Sequence, residues 1–133
     1  MKYNFNDGGR EATGYKGKTG DCVTRAIAIA SELPYKEVYK VMAEGNATQR
    51  KSKRSSSSVG IKTARRGIST KRKWFKDYME SLGWKWKATM GIGTGCKTHL
   101  RKDELPSGRI ICRVTRHYTA VIDGVINDTY DCS

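Results

Sequence analysis

A stripe of apolar residues near the N-terminus has the spacing of an α-helix. Four of these residues follow the i, i+3, i+4, i+7 rule of one helical face: Val23, Ala26, Ile27 and Ala30. Ala28 and Ile29 extend the apolar surface beyond that face, so the helix, predicted over 21–31, should be largely buried. Asp21 is a suitable N-cap, because its carboxylate can accept hydrogen bonds from the first helical N–H groups.

Two more amphipathic segments predict helices further along the chain. The second helix starts at Pro34, a residue favoured in the first helical turn, and we expect it to stop at Gly45. The third helix is predicted over about 71–82 and ends at Gly83, with aromatic residues along one face. The first two helices are joined by a short link, which indicates a helical hairpin.

Alternation of apolar and polar residues predicts strands in the second half of the chain. Residues 84–90 alternate with period two, which is typical of a half-buried strand. Four other strands are predicted, one of them at the N-terminus: 3–5, 109–115, 117–122 and 125–130. The last two form a hairpin around Asp123-Gly124, a strong signal for a two-residue turn. Helices first and antiparallel strands last indicate an α+β fold.

Length and composition favour one globular domain over residues 1–133. No stretch approaches the ~20 apolar residues of a membrane span, and the N-terminus lacks the apolar core of a signal peptide. We therefore expect a cytoplasmic protein whose four cysteines are free thiols. Cys96 and His99 have a spacing found in zinc sites, but no second close pair accompanies them, so no metal or cofactor is predicted.

Positive charge is concentrated in the middle of the chain. The net charge is +13, and the span from Gly45 to Lys76 holds eleven basic residues and no acid. Its serine-rich part lacks apolar periodicity, so we predict a mobile excursion over about 46–69. The segment is either a solvated charge run or a contact for nucleic acid or an acidic protein. The contact residues would be Arg50, Lys51, Lys53, Arg54, Arg65 and Arg66.

Cys22 is the strongest candidate for a nucleophile. It follows a Gly20-Asp21 turn and lies in the first turn of the predicted buried helix. Backbone N–H groups there have no helical partner, and the helix dipole places partial positive charge at that end. Both effects favour the thiolate, which is the nucleophilic form of cysteine.

The predicted hairpin supplies a partner pair for this cysteine. A two-residue turn at Asp123-Gly124 places Thr119 opposite Asp128, and Asp128 then lies diagonally from His117. Because side chains alternate between the faces of a strand, Asn127 points to the other face. The turn that forms the hairpin therefore brings a carboxylate within reach of His117.

These three residue types define roles in nucleophilic catalysis. Cys22 would attack a carbonyl carbon, while His117 would take the thiol proton and return it to the leaving group. Asp128 would orient the imidazole and stabilise its protonated form. The backbone N–H of Cys22 is one candidate oxyanion donor. The second would come from residues 15–21, through a backbone N–H or the side chain of Thr19.

A cysteine that opens the central helix, followed by a histidine and an acid on late antiparallel strands, resembles the papain-like cysteine peptidase superfamily. The Gly20–Ala26 segment resembles the cysteine motif of ovarian-tumour-type deubiquitinases, and His117-Tyr118 resembles their histidine motif. The His117-to-Asp128 hairpin is closer to that of bacteriocin-processing-type peptidase domains. The whole chain also looks like small proteins of phages and prophages.

The resemblance implies a papain-like domain in which N-terminal helices, including the central one with Cys22, pack on a C-terminal antiparallel sheet. It implies a peptidase or isopeptidase with a Cys22–His117–Asp128 triad, encoded by a phage and acting on a protein of the host cytoplasm. The alternative is an inactive papain-like binding module that contacts nucleic acid or an acidic protein through its basic segment.

Overall fold

Three helices lie between the first strand and the remaining strands of the described chain. The computed structural model describes residues 1–14, 20–48, 64, 68–91, 95–96, 99–114 and 117–132. The helices are α1 (Cys22–Ser31), α2 (Tyr35–Ala47) and α3 (Lys73–Ser81). The longest of these has 13 residues, against about 20 for a membrane span. None of the helices in the described ranges is long and apolar enough to cross a bilayer.

The strands form one mixed sheet and a short separate ribbon, which confirms the general α+β class. They are β1 (Lys2–Phe5), β2 (Met90–Gly91), β3 (Gly95–Cys96), β4 (Arg109–Val114), β5 (His117–Ile122) and β6 (Val125–Asp128). The sheet has the order β1-β6-β5-β4, and β2 pairs only with β3. The C-terminal strands β4, β5 and β6 pair antiparallel, as predicted, whereas the N-terminal β1 adds to β6 in parallel, which was not predicted. Parallel pairing requires a long crossover connection, and here the helices lie within it.

Helix α1 is the centre of the domain. Every residue from Val23 to Ala30 is buried, because the helix packs on β5 and β4 on one side and on α2 on the other. The main core cluster joins α1, α2 and α3 and consists of Val23, Ile27, Ala28, Val38, Met42, Ala64 and Phe75. The predicted buried helix is confirmed, and its burial holds the N-terminus of α1 against the sheet.

Asp21 precedes α1, but its side chain does not cap the helix as predicted. No side-chain capping hydrogen bond is formed there. The carboxylate instead contacts Arg25, one helical turn further along, and accepts a hydrogen bond from the hydroxyl of Tyr35 at 2.6 Å. The side chain is 1% exposed, and a buried carboxylate is better stabilised by a guanidinium and a hydroxyl than by a helical N–H alone.

Gly45 does not end the second helix, which continues to Ala47. The glycine allows α3 to approach α2 instead. A Cβ atom added at Gly45 would lie 2.4 Å from Cε3 of Trp74, so only a residue without a side chain fits under this indole ring. The glycine that suggested a helix stop is a packing residue, a role that local sequence does not reveal.

Replacing Gly45 by alanine should therefore destabilise the protein. Alanine improves helix propensity by about 1 kcal/mol, but overpacking a contact of this kind costs about 1–3 kcal/mol. We expect a net loss of about 1 kcal/mol in the free energy of unfolding, measured by urea denaturation. Glu44→Ala, at the exposed neighbouring position, should change it by less than about 0.5 kcal/mol. A Gly45→Ala protein that is more stable than wild type would contradict the packing role.

The strand predicted over 84–90 is also wrong for most of its length. Residues 84–89 have no regular secondary structure, and only Met90 joins the short strand β2. Trp86 is 70% exposed, whereas Trp84 is half-buried and donates a hydrogen bond from Nε1 to Oγ of Ser31 at 2.9 Å. Alternation of apolar and polar residues shows which side chains would share a face of a strand. A strand also needs a neighbouring strand that pairs with its backbone N–H and C=O groups.

Most of the excursion predicted over 46–69 lies outside the described residues, but parts of this range belong to a helix or to the core. Asn46 and Ala47 belong to α2, and Asn46 is fully buried. Ala64 is fully buried in the core cluster, and Ile68 packs against that cluster. Residues 49–63 and 65–67 lie outside the described residues, and with them the six proposed contact residues: Arg50, Lys51, Lys53, Arg54, Arg65 and Arg66.

The predicted hairpin between β5 and β6 is confirmed, including its register. Ile122 lies opposite Val125, and Ala120 lies opposite Asn127. The two turn residues have positive φ angles, 48° at Asp123 and 79° at Gly124. This is the type I′ geometry that the right-handed twist of a two-residue hairpin requires. The turn therefore sets which residues of the two strands face each other.

Candidate active site

Three elements meet at the N-terminus of α1, and each carries one predicted catalytic residue. Cys22 is the first residue of α1, His117 is the first residue of β5, and Asp128 is the last residue of β6. Because α1 packs on β5, the start of the helix lies beside the start of that strand. The three side chains are brought together in the order Cys22, His117, Asp128.

His117 and Asp128 form a buried hydrogen-bonded pair. The Nε2 atom of His117 lies 2.6 Å from Oδ2 of Asp128, and the two residues are 8% and 3% exposed. The other carboxylate oxygen accepts a hydrogen bond from the backbone N–H of Thr129 at 2.7 Å. Asn127 points to the opposite face, as predicted, where its Oδ1 accepts a hydrogen bond from Asn4 at 3.0 Å.

The shared proton of this pair is held on the imidazole side. The hydrogen bond to Asp128, followed by the contact with the Cys22 thiol, raises the pKa of His117 to about 9. Burial raises the pKa of Asp128, but hydrogen bonds led by that of His117 outweigh burial, so its pKa lies below the ordinary value. At neutral pH the pair is therefore an imidazolium and a carboxylate.

Cys22 contacts the same imidazole and is shifted toward the thiolate. Burial raises the pKa of its thiol, but the side-chain hydrogen bond with His117 and a backbone hydrogen bond from Tyr118 act in the other direction. The positive charges of His117 and Arg25 add to them, and the pKa falls below its ordinary value of 9.0. Because Nε2 of His117 is engaged by Asp128, Nδ1 is the ring nitrogen left for the thiol.

The pKa values of Cys22 and His117 are shifted in opposite directions, which favours a charged pair. A thiol whose pKa is lowered gives up its proton to an imidazole whose pKa is raised. Each charge stabilises the other, so the thiolate of Cys22 and the imidazolium of His117 are expected together. The site can therefore place a nucleophile and a proton donor beside the two atoms of one substrate bond.

A second charged cluster lies directly behind this pair and was missed in the sequence. Arg25 is 8% exposed and contacts Asp21 through Nη1, while its Nη2 lies 3.6 Å from Oδ1 of Asp128. The carboxylate of Asp21 also accepts a hydrogen bond from the hydroxyl of Tyr35 and lies 3.3 Å from Nε of Arg10. The only local signal was the i, i+4 spacing of Asp21 and Arg25, because their burial depends on the packing of α1.

Two residues near the C-terminus of the described chain border the site. The ring of Tyr130 lies 5.0 Å from that of His117, between centroids, and the tyrosine is 51% exposed. Sγ of Cys132 lies 4.0 Å from Oδ2 of Asp128. The side chains of Cys22, Cys112 and Cys132 are free thiols.

His117, Asp128 and Cys132 also form a possible metal-ligand set within the described residues. One ligand atom from each lies within 4.8 Å of the others. Two observations argue against a cation there. His117 and Asp128 already bond each other at 2.6 Å, and the guanidinium of Arg25 lies 3.6 Å from the carboxylate of Asp128. A positive charge so close opposes the binding of another cation.

Several predicted site residues lie where the structure describes no side chain. Thr19 and its neighbours over 15–18, from which the second oxyanion donor was expected, are outside the described residues. The backbone N–H of Cys22 lies in the first turn of α1, where a helix has no internal acceptor for it. His99 lies outside the helices and strands, with its side chain 52% exposed and 3.1 Å from Oε1 of Glu104.

Comparisons with known proteins give no family assignment. No protein-family model matches the chain, and neither the curated proteins nor the solved structures include a significant match. Fold and site define the protein as an α+β domain with a Cys–His–Asp cluster at a helix N-terminus, in which the His–Asp pair is buried. A function can be inferred only from the chemistry of the residues in that cluster.

Proposed function

We propose that this protein is a cysteine-dependent hydrolase, a peptidase or isopeptidase, with Cys22, His117 and Asp128 as its catalytic triad. The observation that carries the proposal is the position of His117 between the other two residues. Its imidazole bonds Asp128 at 2.6 Å and contacts the thiol of Cys22. A nucleophile, a base and a group that orients the base are the three parts of this mechanism.

The chemistry follows from the charges of the three groups. The thiolate of Cys22 attacks the carbonyl carbon, and the imidazolium of His117 gives its proton to the leaving amine. Water then attacks the resulting thioester after His117, now neutral, takes one of the water protons, and the acid is released as the thiolate leaves. Asp128 keeps Nε2 of His117 engaged throughout, so that the other ring nitrogen faces the reacting atoms.

The developing oxyanion requires donors at the N-terminus of α1. The backbone N–H of Cys22 supplies one, and the partial positive charge of the helix terminus acts on the same atom. Thr19, or a backbone N–H among residues 15–21, would supply the other. The backbone donor of Cys22 lies beside the nucleophile because it belongs to the same residue.

The substrate is a protein or peptide of the host cytoplasm, and the protein is encoded by a phage or prophage. The resemblance of the Gly20–Ala26 segment and of the hairpin to papain-like peptidases supports an amide or isopeptide bond as the scissile bond. The resemblance of the whole chain to small phage proteins supports the source. No cofactor is required, because nucleophile, base and orienting acid are all side chains of this chain.

A second function is favoured by the net charge of +13 and its concentration between Gly45 and Lys76. Clustered lysine and arginine bind phosphates without sequence preference. In this alternative the domain is an inactive papain-like module that holds nucleic acid or an acidic protein. It predicts an ordinary Cys22 thiol, and salt-dependent binding to DNA that Cys22→Ala leaves unchanged.

The reactivity of Cys22 toward iodoacetamide tests the proposal. The alkylation rate of each cysteine, followed by peptide mass spectrometry across pH, reports how much of it is thiolate. The rate of Cys22 should rise with a midpoint below 9.0, whereas burial raises the pKa of Cys112 to about 11. Two pKa units between 9.0 and 11 correspond to about 100-fold in thiolate, so Cys22 should react at least about 100-fold faster at pH 7.

Cys112 serves as the internal control, because both cysteines are half-buried and are measured in the same sample. Cys22→Ala should remove the fast phase and leave the alkylation of Cys112 unchanged. If Cys22 titrates at 9.0 or above, or reacts no faster than Cys112, the proposed hydrolase is refuted and the binding module is favoured.

A further inference from the structure

The guanidinium of Arg25 lies between the carboxylates of Asp21 and Asp128. One of its nitrogens contacts Oδ1 of Asp21, and the other lies 3.6 Å from Oδ1 of Asp128. Arg25 belongs to α1, three residues after Cys22, whereas Asp128 ends β6. Residues three apart lie on neighbouring positions of one helical face, so Arg25 and Cys22 point to the same side of α1.

We propose that Arg25 is a positioning residue, which connects the helix of the nucleophile to the strand of the catalytic acid. This inference rests on the proposed hydrolase function and adds a residue to it. Arg25 does not touch the reacting atoms. It acts through Asp128, whose Oδ1 faces the guanidinium while its Oδ2 holds the imidazole of His117. A displacement of Asp128 would therefore turn the ring away from the thiol.

Arg25 is itself positioned by the carboxylate of Asp21, which is held by further contacts. Asp21 is 1% exposed, and its second oxygen accepts the hydroxyl of Tyr35 at 2.6 Å, beside Nε of Arg10 at 3.3 Å. The phenol comes from α2, so the carboxylate that holds Arg25 is fixed by a third element. Burial and the hydrogen bond to Asp21 raise the pKa of Tyr35, which keeps this donor protonated.

The planar guanidinium suits this position better than other cations would. Its nitrogens point in fixed directions, so one side chain contacts two carboxylates at once. The cluster of Arg10, Asp21, Arg25 and Asp128 is neutral in sum, and so is the thiolate–imidazolium pair beside it. The titratable and charged groups around Cys22 and Arg25 are Arg10, Asp21, Tyr35, His117, Asp128, Tyr130 and Cys132.

Arg25 also has an electrostatic effect on the nucleophile. Burial raises the pKa of the Cys22 thiol, and the positive charge of Arg25 is among the causes that lower it. A purely structural ion pair would change the stability of the protein, but it would not change the ionisation of Cys22 or the activity of His117. These two properties therefore separate a positioning role from a structural one.

The test compares Arg25→Met and Arg25→Lys with wild type in two assays. Iodoacetamide alkylation across pH gives the midpoint of Cys22 ionisation. Acetylation of Cys22 by p-nitrophenyl acetate, followed by loss of the acetyl group from its peptide, gives the deacylation rate, for which His117 must activate water. Arg25→Met should raise the midpoint by about one pH unit and slow deacylation by about 10²-fold. Arg25→Lys keeps the charge, so its midpoint should stay near wild type while deacylation is slower.

Arg109→Met is the matched control. Arg109 pairs with Glu32 at 2.6 Å and donates a hydrogen bond to the carbonyl of Ile29 at 3.0 Å, at the other end of α1. This substitution also removes one guanidinium that contacts α1, but from β4 and at the C-terminal end of the helix, so it should change neither assay. Folding of each variant is checked by circular dichroism. If Arg25→Met does not fold, Arg25→Lys decides, because it retains every charge.

The outcomes separate the two proposals. If wild-type Cys22 is activated and deacylates, but a folded Arg25→Met shows the wild-type midpoint and rate, the positioning role is overturned and the hydrolase stands. Wild-type deacylation by Arg25→Lys also overturns it. If wild-type protein shows neither an activated Cys22 nor deacylation, the proposed function fails, and the positioning role fails with it.

Discussion

Replacing His117 by alanine should slow hydrolysis of p-nitrophenyl acetate by about 10²–10⁴-fold, the usual contribution of a positioned acid–base group. The loss has two physical causes. The thiol of Cys22 loses the hydrogen bond and the positive charge that lower its pKa, so less thiolate is present at pH 7. The thioester also loses the base that activates water. Steady-state turnover and the alkylation midpoint of Cys22 measure the two effects separately.

His99 provides the control, because the sequence contains two histidines. Its side chain is 52% exposed and lies 3.1 Å from Oε1 of Glu104, outside the helices and strands. His99→Ala should leave turnover and the alkylation midpoint within experimental error of wild type. A similar loss in both variants, or turnover by His117→Ala near the wild-type rate, would remove His117 from the mechanism.

Asp21→Asn should lower the free energy of unfolding by about 3–5 kcal/mol, the usual cost of removing one partner from a buried ion pair. The amide has nearly the same shape as the carboxylate, so packing is preserved while the charge is lost. The guanidinium of Arg25, 8% exposed, would keep Asp128 as its carboxylate partner, at 3.6 Å. Arg10 would lose its ion pair with Asp21. Urea denaturation followed by circular dichroism measures the change.

Asp77→Asn is the matched control for Asp21→Asn. Asp77 pairs with Lys73 at 2.7 Å with the same i, i+4 spacing, but the two side chains are 55% and 88% exposed. Solvent-exposed pairs contribute about 0–1 kcal/mol, so this variant should unfold close to wild type. Equal effects at the two positions would show that the charge on Asp21 is not important for stability.

The sequence predicted the structure best where the structure depends on residues that are close together along the chain. The turn at Asp123-Gly124 has two residues with positive φ, which only a few residue types adopt, and these angles set the hairpin register. From that register the pairing of His117 with Asp128, and the exclusion of Asn127, follow by alternation. The apolar periodicity of α1 was equally informative, because every residue from Val23 to Ala30 is buried.

The errors arose where a residue type has more than one structural use. Glycine is common at helix ends, which predicts a stop at Gly45, but this glycine is needed for the close approach of Trp74. Alternation over 84–90 predicts a strand, but among the described residues most of that stretch bonds to no neighbouring strand. The position of Asp21 predicts a helix cap, but its carboxylate is paired with Arg25 and Tyr35 instead.

From the sequence alone, the hairpin pair His117–Asp128 and a cysteine at the start of a buried helix could both be derived, since each depends on neighbours along the chain. The contact between Cys22 and the hairpin pair could not be derived from the sequence. It depends on the packing of α1 across the sheet, which sets Cys22 against His117 and places Arg25 between Asp21 and Asp128. The parallel pairing of β1 with β6 is another long-range contact that only the tertiary structure shows. Such contacts join distant residues, and periodicity within one segment carries no information about them.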